Sequence, residues 1–206
     1  MTSQQAELAL ANRIKRVLEE ETGDTYVLKS GEELVHPDKM DWFLHPSIDK
    51  KPKGRLSDAY QKGDVVTLET PIIYDVHNTL EFAYRKALER GESIHDMDKL
   101  NLPEVRRKYS HRFPRIMAFF DKADELLLAL RKSTGVNVVL SPGNGWVSFQ
   151  VEIPAARISE DETVITESVA ALEKLVGQIY SWLDDERVRH ESRRIIRTKD
   201  VMRQPS

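Results

Sequence analysis

The chain has 206 residues, with 31 Lys and Arg against 34 Asp and Glu for a formal net charge of -3, and it contains no cysteine. That length fits one domain, the absence of thiols excludes disulfides, thiolate zinc sites, iron–sulfur clusters and cysteine nucleophiles, and the slightly acidic balance exerts no overall pull on nucleic acid. With 40% hydrophobic and 32% charged residues and only 9 Gly and 9 Pro, the composition is that of a chain that buries a core rather than a disordered or fibrous one.

Met1 to Ala11 shows no basic stretch followed by an apolar one, and no apolar run approaches the roughly 18 residues of a membrane span. The expected location is the cytoplasm. Ser3 to Glu21 carries Leu10, Ile14, Val17 and Leu18 at helical spacing and stops before Gly23, which predicts an amphipathic helix. Thr25 to Lys29 and Glu33 to Val35 read as short strands paired around the turn Ser30-Gly31. From His36 to Gly63 the periodicity weakens among His45-Pro46, Lys51-Pro52-Lys53-Gly54-Arg55 and Lys62-Gly63, so this span is expected to be an insertion of loop around a short helix near Asp41 to Leu44.

Asp64 to Glu69 alternates as a strand, Pro71 interrupts it, and Ile72 to Tyr74 is expected to resume at a sheet edge, where the missing N–H does least harm. Capping boxes at Asn78/Glu81 and at Asn101/Glu104 open two helical stretches, the first ending at Gly91 and the second running to Lys132 with a kink at Pro114. Past Pro114 the positions Ile116, Phe119, Phe120, Ala123, Leu126, Leu127 and Leu130 keep a helical period and predict the spine of the core. Val136 to Leu140 and Trp146 to Ile153, joined by Ser141-Pro142-Gly143-Asn144-Gly145, form a hairpin with Val147, Phe149, Val151 and Ile153 on one face and Ser148, Gln150 and Glu152 on the other. A last long helix, capped by Ser159 with Glu162, buries Val169, Leu172, Val176, Ile179 and Leu183.

This order lacks the regular strand–helix alternation of a parallel fold. It predicts an α+β domain: a small antiparallel sheet packed against several amphipathic helices, with one long Pro-kinked helical stretch in the middle. Residues 1–186 are expected to form that single domain, and 187–206 an Arg-rich helix extension or tail.

Chemistry-bearing clusters are sparse. His36, Asp38, Asp41 and His45 carry ligand types that suit a divalent cation, with Asp41 and His45 spaced i, i+4 on the expected short helix. His77, His95, Asp96 and Asp98 resemble the paired ligands of HD-type metal-dependent phosphohydrolases, but His95-Asp96 lies in a polar segment between Gly91 and Pro103. No Gly-x-Ser-x-Gly elbow or His-Glu-x-x-His helix is present, and the turn Ser141 to Gly145 leads into a strand rather than the helix N-terminus that phosphate binding uses. No cofactor is implied.

Charge is more informative. Arg106, Arg107, Lys108, His111, Arg112 and Arg115 surround Tyr109 and Phe113, and Arg187, Arg189, Arg193, Arg194, Arg197, Lys199 and Arg203 load the C-terminal stretch. Converging in space, the two would make a phosphate-binding surface. Apart, they are solvated helix faces or a site for an acidic protein.

From Gly135 to Leu183, the strand, tight turn, strand, Pro154-Ala155-Ala156 step and capped helix resemble the closing half of the YbjN and type III secretion chaperone-like family. The resemblance rests on element order and covers about half the chain; the insertion and the Arg-rich end depart from it. It implies a non-catalytic module that binds other proteins, often as a dimer, along helix and sheet surfaces. The leading expectation is therefore an intracellular adaptor or chaperone-like protein that holds a protein partner through Trp146, Ser148 and Gln150. The alternatives are a nucleic-acid-associated factor using Arg106, Arg107, Lys108, Arg112, Arg115, Arg193, Arg194 and Arg197, and a metal-dependent hydrolase using the His/Asp clusters.

Overall fold

The computed structural model describes residues 3–34, 40–47, 58–71, 89–91, 104, 107, 114–142 and 147–201, of which 3, 71, 114–116, 142, 147 and 186–201 are described in their backbone only. The fold is α+β. Helix α1 (Ser3–Thr22) leads into strand β1 (Tyr26–Ser30), a 3-10 turn (Gly31–Glu33), β2 (Trp42–Pro46), β3 (Asp58–Lys62) and β4 (Val65–Pro71). Helix α2 (Pro114–Thr134), β5 (Val138–Pro142), β6 (Val147–Pro154), the short α3 (Ala155–Glu160) and the long α4 (Thr163–Val201) complete the described elements.

The six strands form one antiparallel sheet in the order β1-β2-β3-β4-β6-β5. The hairpin β3–β4 turns on Gly63, whose φ of +58 supplies the left-handed residue a two-residue hairpin loop demands. The hairpin β5–β6 enters the other way round, so β6 docks on β4 and β5 is outermost among the described strands.

One buried cluster unites the sheet with the helices. Helix α1 contributes Ala11, Ile14, Val17 and Leu18, and α2 contributes Met117, Phe119, Phe120, Ala123, Leu126 and Leu130. From α4, residues Ile165, Val169, Leu172, Val176 and Ile179 recur every three or four positions, which puts them along one side of the helix. The sheet meets them with Tyr26, Trp42, Leu44, Ala59, Val66, Leu68, Phe149, Val151 and Ile153.

Several local expectations are corrected. The strand expected at Glu33 onward is a 3-10 turn in its described part, and β1 pairs instead with β2, Tyr26 opposite Pro46 and Ser30 opposite Trp42. The helix expected near Asp41 to Leu44 is strand β2, and β3 also lies inside the span read as loop. Both are short strands whose stability comes from neighbours on either side, which local periodicity does not report. Strand β4 lies between β3 and β6 and includes Pro71, expected to interrupt it, as its last residue. Ser159 lies inside α3 and donates to Ala155 O at 3.1 Å, so the cap of α4 is Asp161, which accepts from Thr163 N at 3.0 Å and Thr163 Oγ1 at 2.8 Å.

Glu162, freed from capping, pairs with Arg13 at 3.7 Å and with Arg16, tying the start of α4 to α1. The described part of the middle helix opens at Pro114, where a missing N–H costs least. Ile72 to Tyr74, Asn78 to Leu88 and most of Asn101 to Phe113 lie outside the described residues. Among the described residues, no helix is long and apolar enough to cross a membrane.

Candidate functional site

Strand periodicity sends alternate residues to opposite faces, so the register that buries Leu44, Ala59, Leu68 and Val151 against helices assembles a second, polar face from their neighbours. One row across it runs Lys29, Phe43, Tyr60, Thr67, Glu152, each opposite the next. A parallel row sets Asp58 opposite Glu69, Glu69 opposite Gln150, and Gln150 opposite Val139 on the edge strand.

This face is aromatic and acidic. Phe43 and His45 stack with ring centroids 5.7 Å apart. The His45 Nδ1 lies 3.0 Å from Pro46 O, a contact that puts the proton on Nδ1, and its buried Nε2 finds no hydrogen-bond partner among the described residues. Burial and then the charge of Glu69 push the Asp58 carboxyl up to about 7. Burial, then Glu69, raise the Tyr60 hydroxyl; a hydrogen bond with Thr67 opposes the rise and Glu152 adds to it.

The residues singled out from sequence fare differently. Ser148 does stand on the polar face, but it is buried at 5% exposure, so it offers no open contact: a small side chain on an interior strand is screened by its neighbours, and Gln150 Nε2 donates to Ser148 Oγ at 3.3 Å. Gln150 is half-buried. Trp146 lies outside the described residues, as do His36, Asp38, His77, His95, Asp96 and Asp98.

Asp41 and His45 do not share a helix turn; about 13 Å of extended chain separates them. Asp41 instead secures the β3–β4 turn, its Oδ2 accepting from Gly63 N at 2.8 Å while its own N–H donates to Gln61 O at 2.9 Å. Among the described residues no group of three or more His, Asp and Glu is placed to hold a metal ion. Of the first basic cluster, Arg107 is exposed and helical, Arg115 lies in the first turn of α2, and Arg106, Lys108 and Arg112 lie outside the described residues. Arg193, Arg194 and Arg197 occupy the helical backbone of α4.

Sequence reasoning missed the edge. Strand β5 pairs only with β6 among the described residues, contains no charged residue, and exposes Val139 at 40%. The opposite edge, β1, carries Lys29, a charge of the kind that guards sheet edges. The signal was present in Val138-Val139-Leu140, which reads as a strand buried on both faces until the topology places it outermost. Compared with protein-family models, curated proteins and solved structures, the chain gives no match.

Proposed function

We propose that this chain is a non-catalytic intracellular adaptor or chaperone-like module that holds a protein partner along the β5 edge and the adjoining polar face of the sheet. The uncharged β5 edge carries the reading. Such an edge presents unpaired N–H and C=O groups to any extended segment, and natural sheets usually block it. Val139 adds exposed apolar surface beside Gln150, within reach of a strand laid against that edge. The element order supports the same reading: a leading helix, strands, a middle helix, a strand pair and a closing helix make up the plan that the type III secretion chaperone-like resemblance implies.

The test is partner capture by tagged full-length protein with and without Val139→Lys, a surface change that should move stability by no more than about 0.5 kcal/mol. Loss of a partner that wild type retains, at unchanged melting temperature, supports the β5 edge. Capture that survives the substitution removes it as the docking surface.

A second reading, a nucleic-acid-associated factor, draws on the continuity of α4. Its backbone stays helical to Val201, past Leu183, the last of its described side chains packed against the core. The arginines of that stretch therefore sit on one rod rather than on a loose tail.

A further inference from the structure

Strand β5 is outermost at one side of the described sheet, and Val138, Val139, Leu140 and Ser141 pair with β6 alone among the described residues. Its side chains alternate: Val138 and Leu140 are buried, while Val139 and, just ahead of the strand, Asn137 are exposed on the polar face. No charged residue occurs anywhere between Lys132 and Glu152.

A strand that pairs antiparallel with its own copy must complement its own sequence reversed, because a two-fold axis sets the residues on one side of it against those equally far on the other. Directly opposed side chains share a face of the sheet, so the axis passes at a residue rather than between two. Placed at Val139, it sets Val139 against itself, Val138 against Leu140 and Asn137 against Ser141, apolar with apolar and polar with polar. Placed at Leu140, it sets the exposed Val139 against Ser141 and loses that match. On β1, the outermost described strand of the other side, an axis at Leu28 would set Val27 against Lys29.

The helix layer ends on the same side. Helix α1 packs on β1 and β2, α4 on β4 and β6, and α2 on β5. The two most exposed large apolar side chains among the described residues, Leu128 at 57% and Val139 at 40%, belong to α2 and β5, the elements at this end.

We infer that the protein partner of β5 is a second copy of this chain, lying antiparallel to it about a two-fold axis at Val139, so that two sheets become one and their polar faces join. The inference rests on the reading of β5 as a docking edge and names what occupies it. The lack of charge in β5 is what self-pairing requires, since a charge near the axis would stand against its own like charge from the other copy.

The experiment is sedimentation equilibrium of the purified full chain, with no other protein present, on wild type and Val139→Lys. Wild type is expected to be a dimer. Val139→Lys sets two ammonium groups against each other at the axis and should raise the dissociation constant by about tenfold or more, with an unchanged far-ultraviolet circular dichroism spectrum. The register is read separately by cross-linking: the chain has no cysteine, so Val139→Cys brings one thiol from each copy together across the axis, whereas Val27→Cys puts them on β1. Oxidation with copper phenanthroline should join Val139→Cys into a covalent dimer and leave Val27→Cys monomeric under denaturing electrophoresis. A wild type that stays monomeric at concentrations on the order of 100 μM overturns the inference, and so does a dimer that Val139→Lys leaves intact or cross-linking that is equal at both positions. A monomer that still captures a different protein through Val139 would overturn the second copy as the occupant while leaving β5 as a docking edge, so the two readings fail separately.

Discussion

Trp42 donates its indole N–H to Gln61 Oε1 at 2.6 Å, and both side chains are buried, at 0% and 6% exposure. The other end of the same amide donates to Gly63 O at 2.7 Å. A single side chain thus satisfies the largest core residue of β2 and closes the β3–β4 turn.

Gln61→Leu keeps much of the volume and removes both bonds, leaving the buried indole N–H without its acceptor. The expected loss is about 1–3 kcal/mol, read as a lower urea midpoint at unchanged slope, with Trp fluorescence as the probe. A midpoint equal to wild type would mean that the bond contributes nothing net.

Asp58 makes stability depend on pH in the direction opposite to ordinary acid denaturation. Its folded value, about 7, lies above its usual 3.8, so between those limits the folded state holds a proton that the unfolded chain has released. The contribution is full below the unfolded value, falls as pH rises through the window, and is gone above about 7. The slope is roughly 1.4 kcal/mol per pH unit at its steepest. Urea midpoints across this window, wild type minus Asp58→Asn, should show that fall; a flat difference contradicts it.

Asp161 has the reverse sign. Hydrogen bonds from the Thr163 side chain and backbone hold its carboxyl below the usual carboxylate range, so its capping support is present above the unfolded value and lost as pH falls through the folded one. Asp161→Ala should destabilise the first turn of α4, and Asp161→Asn should do so less, since asparagine also caps. Faster amide exchange confined to the residues after 161 is the expected readout; exchange identical to wild type would show that the cap is idle.

If the helical extension of α4 binds nucleic acid, changing Arg193, Arg194 and Arg197 together to Ala should weaken binding and flatten its salt dependence by about 2–3 in the log–log slope, roughly one per phosphate contact. Affinity indifferent to salt in the wild type ends that reading.

The α+β class, helix α1, the run of α2 beyond Pro114, the hairpin β5–β6 and the buried stripe of α4 were legible in the sequence by itself, because each is declared by periodicity within one segment: Ile14, Val17 and Leu18 on a helix, or Phe149, Val151 and Ile153 on a strand. Tertiary structure alone decided the rest. Strand β3 has one buried apolar residue, Ala59, and owes its conformation to pairing on both sides, while β2 buries Trp42 and Leu44 but also half-buries Phe43 and His45, which erases the alternation that would announce it. The long-range pairing of β4 with β6 makes β5 outermost among the described strands and brings Asp58, Glu69 and Gln150 into one row. A local pattern can say which face of a segment is apolar; which strands become neighbours is settled by the burial of all those faces at once, and the polar face exists only after that choice is made.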